Sequence, residues 1–116
     1  MTEGETKAFF GMLSLCMRAG RLVLGYDRAE TAIRSSEARL VIVSADASEN
    51  TKKKFSDMAA YRRLSIIFIS DRETIGRAIG REFAVICVVT DKGFADRLFE
   101  LYMKTQNGRD DSVQKG

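Results

Sequence analysis

Three aspartates stand where open α/β proteins often place their chemistry. Asp46, Asp71 and Asp91 each follow an apolar run at its carboxyl end, the edge at which such sheets collect ligands. Three carboxylates brought together there can gather a magnesium ion and support phosphoryl transfer. Each also falls where a helix begins, and an acid at that place accepts from free amides and complements the helix dipole. Capping is the simpler role. The enzymatic one requires metal-dependent turnover that Asp46→Asn abolishes. The chain has no histidine, so the commonest general base near neutral pH is missing. Cys16 and Cys87 lie among apolar neighbours and read as reduced core residues, not as a disulfide, a metal site or a nucleophile.

The other candidates are cationic or backbone features. Lys52, Lys53 and Lys54 are consecutive; on a helix Lys53 points away from the core with the other two beside it, which suits either a solvated face or contacts to phosphate. Gly76 and Gly80 are spaced as GxxxG, inside and at the end of a helix, and form neither a dinucleotide fingerprint nor a phosphate loop. Close helix packing and a C-cap account for them.

The elements that must position these residues follow from length and periodicity. With 116 residues and 45% hydrophobic content, the chain can bury one core, which predicts one domain over 1–116 with a folded body of about 7–106. No apolar stretch is long enough to span a bilayer and no signal peptide is recognisable, so a cytoplasmic protein without a membrane partner is expected. The net charge is +3 and the pI about 9.0. Without residues 1–6 and 107–116, the body holds 17 basic and 12 acidic residues, a balance that suits a polyanionic partner.

In chain order, Phe9, Phe10, Leu13, Cys16 and Met17 give a helix with one apolar stripe, ended by Gly20. Leu22 to Leu24 reads as a short strand, and Asp27 with Glu30 as a capping box for a helix burying Ala29, Ala32 and Ile33. Leu40 to Ala45, apolar on both faces and rich in β-branched residues, reads as an interior strand covered on two sides. Ser48 then caps a helix that keeps Phe55, Met58 and Ala59 on the core and ends near Arg62 and Arg63. Ile66 to Ile69 is the next strand. Ser70 with Glu73 predicts a second capping box, for a helix carrying Ile75, Ala78 and Ile79 inward and stopping at Gly80. Ala84 to Val89 is the last strand, and Thr90 or Asp91 caps a final helix burying Phe94, Leu98, Leu101 and Tyr102, with fraying from Asn107. Helices alternating with doubly apolar strands make a layered α/β domain.

Four stretches together resemble a known family. Arg18-Ala19-Gly20-Arg21-Leu22-Val23-Leu24-Gly25, Leu40 to Phe55, Ile75-Gly76-Arg77-Ala78-Ile79-Gly80-Arg81-Glu82 and Val88-Val89-Thr90-Asp91-Lys92-Gly93-Phe94-Ala95 are similar, in order and at natural spacing, to the bacterial L-seven-Ae-like ribosomal protein family of the YlxQ type, over about residues 7 to 103. The resemblance implies a three-layer α-β-α sandwich with a mixed four-stranded sheet, and binding to structured RNA, typically a kink-turn in ribosomal RNA or a regulatory mRNA element, on or off the ribosome. No cofactor and no metal are expected.

It also implies the place of contact. The helix start that faces RNA falls on Gly25, Tyr26, Asp27, Arg28 and Thr31, and the closing loop on Gly80, Arg81, Glu82, Phe83 and Ala84; a helix amino end suits the task because its free amides and dipole favour acceptor atoms. The family's Gly-x-Asn-Glu-x-x-Lys pattern is changed here, with Asp27 for asparagine, Arg28 for glutamate and Thr31 for lysine. Aspartate offers only acceptors, whereas Arg28 can pair with guanine O6 and N7. Arg21, Lys52 and Arg81 can supply contacts to phosphate. Phe83 precedes a buried strand and reads as core, which leaves Tyr26 as the aromatic for stacking. Two other roles stay open beside RNA binding: a protein-interaction module on the same fold, and the magnesium-dependent enzyme built on the three aspartates.

Overall fold

The computed structural model describes residues 3–114, with side chains at 4 and 6–105. Its elements run α1 (Glu3–Arg18), β1 (Leu22–Leu24), α2 (Tyr26–Arg34), β2 (Leu40–Ser44), α3 (Glu49–Tyr61), β3 (Ile66–Ile69), α4 (Arg72–Ala78), β4 (Ile86–Val89) and α5 (Lys92–Gln114). The strand order is β1-β4-β2-β3. β4 pairs antiparallel with β1 and β2, while β2 and β3 are parallel.

β2 is buried at every residue, and its alternation explains why its sequence is apolar throughout. Leu40 and Ile42 face the core layer built from Phe9, Leu13 and Cys16 of α1, Ile75 of α4, and Leu98 and Leu101 of α5. Val41 and Val43 face the opposite layer, with Ala29, Ala32 and Ile33 of α2 and Phe55 and Ala59 of α3. Successive side chains point to opposite faces of a sheet, so a strand between two helical layers needs apolar residues at both parities. The three-layer α-β-α sandwich with a mixed four-stranded sheet is therefore the fold.

The caps differ from expectation in two places. Asp27 and Glu30 form no capping box: the N-cap of α2 is Gly25, no side chain among the described residues caps the helix, and Glu30 is drawn to Lys54 and Arg34 instead. At α4 the N-cap is Asp71, which accepts from the Thr74 amide at 2.8 Å, and not Ser70, whose φ of 55° puts it in the turn before. Ser48 caps α3 through the Thr51 amide, and Asp91 accepts from the Phe94 amide at the start of α5.

β4 begins two residues later than the apolar run suggested, at Ile86. α5 runs as helix to Gln114, past Asn107, where fraying was expected. Cys16 and Cys87 are buried and unbridged. Burial raises both thiols, with Asp91 adding to it at Cys16, to about 11 for Cys16 and about 12 for Cys87. No helix among the described residues is long and apolar enough to cross a membrane.

Candidate functional site

One end of the sheet gathers the carboxyl ends of β1, β2 and β3 with the amino end of β4. Gly25 leaves β1 there with φ 95° and ψ 156°, a backbone geometry that is open essentially to glycine alone. Its amide donates to the Ile86 carbonyl at 3.3 Å and its carbonyl accepts the first helical bond, from Ala29 at 2.9 Å. Since no side chain caps α2, the amides of Tyr26, Asp27 and Arg28 remain for solvent or a ligand, with the positive end of the helix dipole behind them.

A groove of about 390 Å³ runs beside this helix start, with Leu24, Gly25 and Tyr26 on one wall and Arg81, Phe83 and Ala84 on the other. Both aromatic rings are open to solvent, Tyr26 at 42% and Phe83 at 57%. The expectation that Phe83 is core is thus corrected: the loop ends two residues before β4 takes up its ladder, and Ala84 and Ile86 fill the interior instead.

The Tyr26 ring is held from below and from the side. Its centroid lies 5.1 Å from that of buried Phe55 at an interplanar angle of 80°, the edge-on arrangement that aromatic quadrupoles favour. Lys54 Nζ sits 4.9 Å from the Tyr26 centroid and donates to Glu30 Oε1 at 3.0 Å, while Arg34 reaches Glu30 Oε2 at 2.6 Å. The Lys54 hydrogen bond, joined by the charges of Arg34 and Lys54, outweighs partial desolvation and holds the Glu30 carboxyl below its ordinary range.

A pH effect follows. Glu30 has a lower pKa folded than unfolded, so its contribution to stability is present above the unfolded value of about 4.3 and is lost as pH falls through the folded value. Urea midpoints measured between neutral pH and pH ~2 are expected to fall in the wild type and to fall less in Glu30→Gln, in which the carboxyl that titrates is gone.

The opposite wall is pressed onto α4. An ideal Cβ at Gly76 would lie 2.5 Å from Phe83 Cα, 2.7 Å from Phe83 N and 2.9 Å from Arg81 O. The Arg81 amide donates to the Gly76 carbonyl at 2.8 Å and the Ala84 amide to the Arg72 carbonyl at 2.9 Å. The close packing anticipated for Gly76 is thus against its own following loop and not against another helix, and it fixes the height at which Phe83 stands.

The remaining candidates divide. Asp27, Arg28 and Thr31 line a separate groove of about 280 Å³ on the other flank of α2, with Val23 and Glu37. Glu82 is exposed in the loop. Lys52 does not border the Tyr26 groove and lies 3.7 Å from Glu49; Lys54, two residues on, is the lysine beside Tyr26. Arg21 precedes β1 and so stands at the opposite end of that strand from Gly25. The structure does not bring it to the loop.

The three aspartates do not converge. Asp71 and Asp91 cap α4 and α5, and Asp46 accepts from the Arg72 amide at 3.2 Å and pairs with its guanidinium at 3.4 Å. Hydrogen bonds from Thr74 hold the Asp71 carboxyl below its ordinary range. Among the described residues no group of three or more His, Cys, Asp or Glu side chains is placed to hold a metal ion.

Comparison with known proteins gives consistent relatives. Residues 7–99 match the model of the ribosomal protein L7Ae/L30e/S12e/Gadd45 family. The chain is 40% identical to the RNA-binding protein YlxQ of Bacillus subtilis (strain 168) over 93 residues, which cover 80% of this chain and 93% of that one. It is 33% identical to the large ribosomal subunit protein eL30B of Schizosaccharomyces pombe, covering 74% of this chain and 75% of that one. Among solved structures, a protein of unknown function from Bacillus halodurans C superposes with a TM-score of 0.79 at 33% identity, covering 80% of this chain and 94% of that one. The 15.5kD RNA binding protein of Giardia lamblia shares the fold with a TM-score of 0.72 at 15% identity, covering 91% of each chain.

Proposed function

The chain belongs to the ribosomal protein L7Ae/L30e/S12e/Gadd45 family, and from that premise we propose that it binds structured RNA with a kink, through the start of α2 and the loop from Gly80 to Ala84. The observation that carries this reading is the groove in which uncapped α2 amides stand beside two exposed rings, Tyr26 and Phe83. Free amides and a helix dipole attract phosphate oxygens or base acceptors. Aromatic faces stack with bases that a kink has splayed from their helix, a contact worth about 1–3 kcal/mol per base.

Arg81 on the loop wall adds a charge for the backbone, and Arg28, on the other flank of α2, has the donor fork that matches guanine O6 and N7. Asp27 supplies no donor, so any contact it makes is to an amino group or an ordered water. The acid in that slot shifts the sequence that this site accepts without removing the amides and rings that recognise the kink. The partner is a kinked RNA, in ribosomal RNA or in a regulatory mRNA element, and the site of action is the cytoplasm.

Amide resonances followed during titration with a kink-turn RNA test the placement. The largest changes are expected at 25–31 and 80–84. Changes confined to the α1–α5 face, with these segments unmoved, would remove the proposal.

A further inference from the structure

We propose that the end of the sheet opposite the Gly25 groove is a second nucleic-acid surface, one that takes the phosphate backbone of RNA lying outside the groove. The charge of the segments next to the strand ends differs between the two ends of the sheet. Around the groove, the connections at 25–28, 45–49, 70–73 and 79–85 carry Arg28, Arg72 and Arg81 against Asp27, Asp46, Glu49, Asp71, Glu73 and Glu82. At the far end, the connections at 18–21, 35–39, 62–65 and 90–93 carry Arg18, Arg21, Arg39, Arg62, Arg63 and Lys92 against Glu37 and Asp91. At the strand ends the surplus of basic over acidic residues therefore lies away from the helix start, where the further cation Lys54 beside Tyr26 is paired with Glu30.

These arginines are available. Arg18, Arg21, Arg39, Arg62 and Arg63 are exposed, and none has a carboxylate within ion-pair distance among the described residues, whereas Lys52, Lys53, Arg72, Lys92 and Arg97 all do. They are also placed by backbone and side-chain bonds. Thr90 donates its amide to the Arg21 carbonyl at 3.0 Å and the Arg39 amide donates to Val89 at 2.7 Å, so Arg21 and Arg39 flank β4 on its two sides, about 10 Å apart at the usual strand spacing. Arg39 Nη1 donates to the Ser36 carbonyl at 3.1 Å and Arg62 Nη1 to Ser36 Oγ at 3.2 Å, which ties both guanidinium groups to the turn after α2.

The surroundings fit a nucleic acid. Arg21, Arg39, Ser36 and Thr90 share a groove of about 460 Å³, with Glu37 as its acid, and guanidinium groups interleaved with hydroxyls are a common set for phosphate oxygens. Tyr61 is 84% exposed, with Arg62 at 5.8 Å from its ring centroid, and an open ring among arginines provides a face for a base. Two turns at this end hold non-glycine residues at positive φ, Ser36 at 67° and Arg63 at 59°. Glycine is the residue that such a backbone position favours.

That last point supplies a variant that does not threaten the fold. Arg63→Gly relieves the left-handed backbone, so Arg21→Gln/Arg63→Gly is expected to melt no lower than wild type. Binding of the full chain to a labelled straight RNA duplex is measured over a salt series. The double variant is expected to lose about tenfold in affinity at low salt, and the slope of log K against log salt to shrink by roughly 1–2. Lys104→Gln, which removes one exposed charge of α5 away from both surfaces, leaves duplex binding unchanged, and the double variant keeps its preference for kinked over straight RNA, so the result stands or falls apart from the kinked-RNA reading. Duplex binding that survives the double variant, or that falls as far in Lys104→Gln, overturns the proposal. So does loss of binding to phosphatidylglycerol vesicles in the double variant with duplex affinity intact, since the surface then serves an anionic lipid.

Discussion

Gly76→Ala is expected to cost about 1–3 kcal/mol of stability and to weaken binding to kinked RNA roughly tenfold or more. The added methyl group meets backbone, not the end of a flexible side chain: Phe83 Cα at 2.5 Å and N at 2.7 Å, Arg81 O at 2.9 Å. Relief therefore requires the whole loop to lift, and with it the ring of Phe83 and the guanidinium of Arg81. A helix interior would ordinarily gain from alanine over glycine. Urea unfolding that shows Gly76→Ala to be more stable than wild type, with RNA affinity unchanged, would mean that the loop is not held as described.

The largest loss of stability is expected at Phe55. Phe55→Ala removes a fully buried ring and is expected to destabilise the fold by about 3–5 kcal/mol, a large part of the ~5–15 kcal/mol that a domain of this kind has in total. Phe55→Leu keeps most of the volume and is expected to cost less than about 1.5 kcal/mol, yet it deletes the ring on which Tyr26 rests edge-on. The pair separates two roles of one side chain. Chemical denaturation reports the core, and RNA affinity of the stable Phe55→Leu protein reports the platform beneath Tyr26. If Phe55→Ala unfolds at the same urea concentration as wild type, the α2–α3 layer does not depend on it.

Much of the fold was legible because period and composition agreed with tertiary demand. The doubly apolar Leu40 to Ser44 belongs between two helical layers, and β1 and β3 fall where their apolar runs do. Misreadings came where a local rule had a competitor. Asp27 and Glu30 have capping-box spacing, but Lys54 lies 24 positions along the chain and claims Glu30 across two helices. Ser70 and Asp71 are both good caps, and only the turn geometry at Ser70 passes the role to its neighbour.

Phe83 shows the limit most clearly for the site. Apolar and adjacent to a buried strand, it satisfied every local criterion for the core, yet the contact between Gly76 and the loop backbone holds it at the surface. Nothing within a window of neighbouring residues encodes that contact. The family resemblance pointed to the segment from Gly80 to Ala84 as a contact, and the three-dimensional structure shows which of its side chains face solvent. The separation of Arg21 from Gly25, by contrast, follows from the strand Leu22 to Leu24, which the sequence did show.

The central claim is that an uncapped helix start and two exposed rings recognise a kink. It is tested most directly by competition between a kink-turn RNA and a straight duplex of equal length, over a salt series, for wild type and Phe83→Ala. The account predicts that wild type prefers the kinked RNA by roughly tenfold or more, that Phe83→Ala erases most of that preference, and that residual binding to both RNAs falls steeply with salt. Equal affinity of wild type for the two RNAs, declining together as salt rises, would contradict it.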